Sequence, residues 1–188
     1  MTDLFIHSLI AGGVTNIEIT LDSERALEKI NNLKEMYGNQ VVIGAGTVLN
    51  EKQAKEAIIA GVDFIFAPIL DRKTIEVTKE KGKIMIPGAF TPTEIYQGYS
   101  WGADIIKVFP ANILGSQFIK DIKSPLGEIP VMPTGGISLN NIKSFFEAGS
   151  AAAGVGGSLV KKDLIEQEKW EEIIKLAGDF QEISKPVI

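Results

Sequence analysis

The chain has 188 residues, of which 45% are hydrophobic and 23% are charged, and this composition predicts a single globular domain spanning residues 1–188. The lack of cysteine excludes disulfides, thiolate metal ligands and cysteine nucleophiles, and a single histidine, His7, excludes a histidine-rich metal site. The net charge of -5 argues against nucleic acid as a partner, and the absence of a signal peptide or a long apolar run predicts a cytoplasmic protein with no membrane span that acts on small molecules.

Short apolar runs, each typical of a β-strand, recur at intervals of roughly 20 to 26 residues, which is the period of a strand plus a covering helix. Amphipathic segments with helical spacing lie between many of them. In chain order we predict a helix over 4–10, strand 15–20, helix 23–37, strand 41–44, helix 51–60, strand 62–67, helix 70–81, strands 83–86, 104–109 and 129–132, helix 139–148 and strand 151–155.

Four of the helices end in a turn of small residues, where a glycine fits a left-handed C-cap and lets the chain reverse into the next strand. The turns are Ala11-Gly12-Gly13-Val14, Ala60-Gly61-Val62, Trp101-Gly102-Ala103 and Ala148-Gly149-Ser150. Repeated alternation of this kind predicts an α/β fold with a parallel sheet, either doubly wound or closed into a (β/α)8 TIM barrel.

Polar or glycine-rich residues follow nearly every predicted strand, and this favours the barrel, which gathers the carboxyl ends of its strands into one mouth. Only seven strands are predicted, and the helix over 4–10 takes the place of the helix that follows a first strand. We therefore expect a barrel that lacks its first strand at the N-terminus. The gap is filled by an upstream segment, covered by a partner chain, or left as a defect with exposed strand edges.

Two charged residues lie at inward positions of predicted strands. Lys107 sits in the apolar run 104–110, where burial favours a neutral amine that attacks a ketone and forms a Schiff base. Glu18 alternates with Ile17 and Ile19 and so points into the barrel, where it is a candidate general acid and base. The alternatives are that Lys107 extends to the rim, or that the two residues form a structural ion pair.

Glycine-rich turns after the last two strands indicate an anion site. Thr134-Gly135-Gly136 and Gly156-Gly157-Ser158 stand where barrels often bind phosphate on backbone N–H groups. Phe109 either stacks beside a substrate or belongs to the core, and Thr47 either donates to a substrate carboxylate or caps the helix that begins near residue 51. We expect no cofactor and no metal, because no dinucleotide fingerprint, Walker sequence or metal-ligand cluster occurs.

As an ordered set, these motifs resemble the 2-keto-3-deoxy-6-phosphogluconate (KDPG) and 4-hydroxy-2-oxoglutarate (KHG) aldolase family from about Ala11 to the end of the chain. The resemblance is carried by Gly12-Gly13-Val14 through Glu18-Ile19-Thr20-Leu21, Gly44-Ala45-Gly46-Thr47-Val48, Ile86-Pro87-Gly88 with Thr91-Pro92-Thr93-Glu94, Lys107-Val108-Phe109-Pro110-Ala111, Pro133-Thr134-Gly135-Gly136-Ile137 and Gly156-Gly157-Ser158.

The resemblance implies a homotrimeric, metal-free lyase that cleaves a 2-keto acid to pyruvate and an aldehyde, which is glyceraldehyde 3-phosphate from KDPG and glyoxylate from KHG. Lys107 would form the Schiff base and Glu18 would be the acid and base. The implied substrate-binding residues are Thr47, Pro87, Phe109, Thr134, Gly135, Gly136, Gly157 and Ser158.

Three features depart from the family pattern. Asp22 stands where the family usually has an arginine that contacts an anionic substrate group, and an acid there repels anions. The family's Ser-Pro-Gly turn reads Ala67-Pro68-Ile69, and the first strand is missing. The alternative function is therefore a weakly active or non-catalytic paralogue that binds a phosphorylated sugar acid. The sequence leaves open whether the substrate is the gluconate derivative, the galactonate derivative or KHG.

Overall fold

The computed structural model describes residues 2–38 and 40–184, so residues 1, 39 and 185–188 of the predicted domain lie outside the described residues. The strands found in the described ranges are β1 (Asn16–Thr20), β2 (Val42–Gly46), β3 (Phe64–Phe66), β4 (Ile84–Ile86), β5 (Gly88–Ala89), β6 (Ile106–Val108) and β7 (Val131–Pro133). The helices are α1 (Thr2–Ala11), α2 (Ala26–Tyr37), α3 (Glu51–Ile59), α4 (Arg72–Glu80), α5 (Pro92–Ser100), α6 (Ala111–Lys123), α7 (Ile142–Glu147), α8 (Lys162–Glu166) and α9 (Trp170–Ser184).

The strands are parallel and follow one another in chain order, β1-β2-β3-β4 and then β5-β6-β7. β4 continues into β5 across Pro87, whose carbonyl accepts the backbone N–H of Lys107 at 2.9 Å. An isolated parallel bridge between Thr134 and Gly154 adds the last position. A sequential order is that of a barrel, whereas doubly wound sheets reverse their order at a switch point. The predicted barrel architecture is confirmed, and among the described residues no strand pairing joins β1 to the last position.

Strand alternation separates two apolar layers. The outward residues of the strands, such as Ile43, Ile65 and Ile106, form one large core with the surrounding helices. Phe64, Phe66 and Ile86 form a second cluster with Ile105 and Met132. The inward face of the barrel is thus apolar around the position of Lys107.

Several predicted boundaries need correction. The predicted strand 151–155 is wrong as a strand, because only Gly154 makes a bridge. The predicted helix 23–37 begins at Ala26, since residues 21–25 form turns and a bend, and the predicted strand 83–86 begins one residue later, at Ile84, and ends at Ile86 as predicted. The four predicted left-handed glycine turns are confirmed, with φ between 92° and 99° at Gly13, Gly61, Gly102 and Gly149.

The end of the barrel opposite the mouth holds two similar ion pairs. The amine of Lys34 donates to Asp63 at 2.8 Å, and Asp63 also accepts the N–H of Ile43. Lys79 and Asp104 repeat the arrangement at 2.6 Å. Asp63 directly precedes β3 and Asp104 lies two residues before β6, so each pair ties a helix to the start of a strand. In the described part of the chain, no helix has the length and apolarity that crossing a membrane would need.

Candidate active site

Lys107 is held in the middle of β6 with its side chain inside the barrel. The residue is only 6% exposed, and its Nζ lies 4.0 Å from the ring centre of Phe66 and 4.7 Å from that of Phe109. Burial lowers the pKa of Lys107, while the charge of Glu18 acts in the opposite direction. None of the salt bridges in residues 2–38 and 40–184 includes Lys107. The alternatives of an extended rim position or a carboxylate ion pair are therefore wrong.

Glu18 projects from β1 toward the same interior. Its neighbour Ile17 is buried in the outer core, and its carboxyl group lies over Gly46, where an added Cβ would come within 1.6 Å of Oε1. Desolvation raises the pKa of Glu18 to about 7, against the attraction of Lys107 and with support from the like charge of Asp22. The residue is nevertheless partly exposed to solvent, because β1 is the edge strand of its sheet in the described structure, so the cost of desolvation is smaller than that of a fully enclosed carboxylate.

Two glycines of β2 make room for these interior groups. Gly44 pairs with Glu18 in register, and an added Cβ there would come within 2.1 Å of the Phe64 ring. Gly46 leaves the space that the Glu18 carboxyl fills. The two glycines of β2 are thus required by the packing of the inward face of the barrel, and not only by a turn.

Thr47 follows β2 with φ of 55°, a left-handed conformation that is strained for a β-branched residue and is common at functional sites. The capping alternative for Thr47 is wrong, because the N-cap of α3 is Asn50, whose side chain accepts the N–H of Gln53 at 3.0 Å. Thr47 therefore stands at the mouth without a capping role.

Pro87 is buried at the junction of β4 and β5. At the next residue, Gly88, an added Cβ would lie 2.3 Å from the carbonyl oxygen of Pro68. Gly88 therefore lets its backbone approach the turn Ala67-Pro68-Ile69 closely, and its N–H donates to the carbonyl of Ile69 at 3.2 Å.

The glycine turns form a backbone concavity after β7 and the Gly154 bridge. Gly135 and Gly136 both have positive φ, 94° and 72°, and the hydroxyl of Ser158 donates to the carbonyl of Ile137, which joins the two turns. No hydrogen bond in the described part of the chain uses the N–H groups of Gly135, Gly136, Gly157 or Ser158. Successive free N–H groups of this kind suit a phosphate, and Ser158 can offer its N–H although its hydroxyl proton is already used.

Phe109 connects the lysine to this anion site. Its ring lies over Lys107, and an added Cβ on Gly135 would be 3.4 Å from the same ring. Thr134, which precedes that glycine, pairs with Gly154. Phe109 is 37% exposed, so it lines the mouth and the interpretation of Phe109 as a core residue is wrong.

Phe66 is the contact of Lys107 that sequence reasoning missed, since a phenylalanine in an apolar strand has the pattern of an ordinary core residue. The effect of Asp22 on Glu18 was also missed, because a turn residue gives no sequence signal of what it faces. Within the described residues no cluster of three or more His, Asp or Glu could hold a metal ion. The candidate site thus joins a buried amine, a carboxyl whose pKa is raised to about 7 and a group of backbone N–H donors without partners in the described structure.

A separate depression of about 370 Å³ lies outside the mouth. It is lined by Leu21, Ser23, Arg25, Ala26, Leu27, Glu28, Gln53 and Glu56. It includes neither Lys107 nor Glu18, so the assignment of the site rests on the barrel interior and not on this depression.

Comparison with known proteins agrees with this geometry. The model of the KDPG and KHG aldolase family matches residues 3–176. The 2-dehydro-3-deoxy-phosphogluconate aldolase of Dickeya dadantii is 36% identical over 174 residues, 92% of this chain and 81% of that protein. The 2-dehydro-3-deoxy-6-phosphogalactonate aldolase of Escherichia coli K12 is 32% identical over 157 residues, 83% of this chain and 77% of that protein.

Among solved structures, the KDPG aldolase of Legionella pneumophila, which holds pyruvate as a covalent carbinolamine, superposes with a TM-score of 0.83. It is 27% identical, and the match covers 93% of this chain and 85% of that one.

Proposed function

The chain belongs to the KDPG and KHG aldolase family, and from this membership we propose that it is a Schiff-base aldolase whose nucleophile is Lys107 and whose acid and base is Glu18. The observation that carries the proposal is a buried lysine that forms no salt bridge within the described residues, together with a glutamate whose charge acts on that lysine and whose pKa is raised to about 7. Iminium formation needs an amine that can lose its proton and a nearby group that can give and take one, and a lowered lysine pKa beside a carboxyl with a pKa of about 7 favours both.

The proposed reaction starts when the Lys107 amine adds to the C2 ketone of the substrate. Glu18 protonates the departing hydroxyl of the carbinolamine, and water leaves to give an iminium. Glu18, now a carboxylate, takes the proton of the C4 hydroxyl through water. The C3–C4 bond then breaks, its electron pair moves to the iminium to form an enamine, and the aldehyde leaves. Protonation at C3 and hydrolysis release pyruvate and restore the lysine.

We propose that the substrate is a 2-keto-3-deoxy-6-phospho sugar acid, either the gluconate or the galactonate derivative, with KHG as a shorter substrate. The free N–H groups of Gly135, Gly136, Gly157 and Ser158 would hold the phosphate, and Thr47 and Pro87 would contact the pyruvate half. The named relatives include aldolases for both sugar epimers, so family membership does not determine which epimer this chain cleaves.

We further propose a cytoplasmic homotrimer with one barrel domain per chain and no metal or cofactor. Exposed apolar side chains near the mouth, such as Tyr96 on α5 and Ile113 on α6, are available for contacts between copies. Size-exclusion chromatography with light scattering tests this assembly, and a monomer at micromolar concentration would contradict it.

The activity is tested by measuring pyruvate release from each of the three substrates. The wild type should turn over at least one of them, whereas Lys107→Met should turn over none. Lys81→Met is the matched control, because Lys81 is an exposed lysine at the end of α4, and it should keep wild-type turnover. If Lys107→Met retains turnover, the assignment of the nucleophile is wrong.

The second candidate function is the binding of a phosphorylated sugar acid without turnover, as in a non-catalytic paralogue. Asp22 favours it, because its negative charge would lie where a substrate anion approaches. Calorimetric binding of substrate by a folded wild type that releases no pyruvate would establish this alternative and overturn the aldolase proposal.

A further inference from the structure

The amine of Lys107 is surrounded by aromatic rings where a buried cation would usually have a carboxylate. Phe66 is 2% exposed and its ring centre lies 4.0 Å from Nζ, while the ring centre of Phe109 lies 4.7 Å from Nζ. In the described residues no other ring contacts this amine. A ring face attracts a cation at these distances, and the attraction grows when water is excluded.

We propose that Phe66, assisted by Phe109, stabilises the cationic iminium on Lys107 and so takes the place of a counter-ion in the aldolase site. This inference rests on the proposed Schiff-base function. It assigns a catalytic contact to Phe66, which has no role in the mechanism proposed above. The chemistry explains why a ring suits this position better than an acid. A carboxylate at 4.0 Å would hold the resting ammonium so firmly that little amine would be free to attack the ketone, whereas a ring favours the cation more weakly.

The position of Phe66 is fixed by the barrel rather than by the lysine. β3 places both Phe64 and Phe66 in the inward cluster with Ile86, and β3 pairs with β4 at Phe66 and Ile86. The ring is therefore held before the substrate binds, and a preorganised group of this kind lowers the free energy of charge without moving during the reaction.

Phe64 provides a matched control. It lies on the same strand, in the same cluster, and is also buried, but its ring packs against Gly44 and makes no cation–π contact with Lys107 in the described structure. Phe64→Leu and Phe66→Leu remove the same atoms from the same layer. Phe66→Tyr keeps a ring face at the position and should preserve the effect.

The test is a pyruvate titration with borohydride, in which the fraction of protein carrying the reduced adduct is read by intact mass at several pH values. Above the pH where Lys107 loses its proton, Phe66→Leu should weaken the apparent affinity for pyruvate by roughly 5- to 30-fold, the range that a desolvated cation–π contact supports. Below that pH the loss should shrink, because the ammonium and the iminium are both cations. Phe64→Leu and Phe66→Tyr should stay near the wild type.

The pH dependence separates the aromatic effect from a packing defect. Loss of the ring contact should lower the pKa of Lys107, whereas a cavity that admits water would relieve desolvation and raise it. Glu18 on β1 is the titratable group whose charge acts on Lys107 among the described residues, and Asp22 acts on Glu18 in turn. The titration is therefore repeated in a Glu18→Gln background, where the same shift should remain.

Equal weakening in Phe64→Leu and Phe66→Leu, or wild-type affinity in Phe66→Leu, would overturn the inference while the Schiff base itself stands. A wild type that is folded and forms no adduct would instead overturn the proposed function. The two failures are thus distinguishable in one experiment.

Discussion

Replacing Gly46 by alanine should displace the carboxyl group of Glu18 without touching Glu18 itself. An added Cβ at Gly46 would lie 1.6 Å from Oε1 and 2.4 Å from Cδ. Non-bonded atoms of this kind need roughly 3.5 Å, so the carboxyl group must move by about 2 Å. Because the obstacle is the end of a flexible side chain, we expect the chain to fold and the carboxyl to swing away.

A shift of this size is large for proton transfer. A misplacement of about 1 Å can cost on the order of 100-fold in rate, and the whole acid–base contribution is roughly 100- to 10,000-fold. We therefore expect kcat for cleavage to fall by at least about 100-fold in Gly46→Ala, and Glu18→Gln to fall by a similar or larger factor.

The assay is steady-state pyruvate release, with a thermal melt to confirm folding. Gly178→Ala in α9 is the control, because the nearest atom to its added Cβ is 4.0 Å away, and it should keep wild-type kcat. A folded Gly46→Ala with wild-type kcat would refute the placement of Glu18 over Gly46 as the catalytic arrangement.

Three further outcomes are expected. The pKa of Glu18 rises from 4.5 to about 7 on folding, so its contribution to stability should be complete below pH 4.5 and lost as the pH rises through 7. The free energy of urea unfolding should therefore depend less on pH in Glu18→Gln than in the wild type. The same pH dependence in both proteins would contradict the raised pKa. Gly136→Ala places a side chain at a residue with φ of 72°, where the added Cβ would lie 2.5 Å from the Cβ of Asn112. This variant should raise KM for the phosphorylated substrates by roughly 10- to 100-fold and leave pyruvate trapping unchanged. An equal loss in both assays would place the phosphate elsewhere. Asp63→Ala should lower the free energy of unfolding by about 2–3 kcal/mol, because it leaves the N–H of Ile43 without an acceptor. The folded variant should keep the wild-type kcat. A denaturation midpoint equal to that of the wild type would contradict this prediction.

The barrel was predictable because most of its strands and several of its helices repeat the same local signals. A glycine such as Gly61 or Gly149 ends a helix at a position that needs positive φ, and the next apolar run starts at once. The same signals wrongly predicted a strand over 151–155. Its residues are mostly small, so an apolar pattern is present but the side chains offer little packing surface to hold a strand, and only Gly154 pairs.

The inward positions of Lys107 and Glu18 were also predictable, because both residues interrupt apolar strands and alternate with apolar residues that face the helices. The strain at Thr47 and the contact of Phe66 were not. A backbone angle leaves no mark on residue type when the residue is threonine, and a phenylalanine in an inward strand position has the same pattern whether it touches a lysine or another hydrophobic residue.

The most direct test of the central claim is to incubate the wild type with pyruvate and borohydride and to map the modified peptide by mass spectrometry. The account predicts one reduced pyruvate adduct per chain, located on Lys107 and absent in Lys107→Met. A folded protein that forms no adduct, or an adduct that persists on another lysine when Lys107 is replaced, would contradict it.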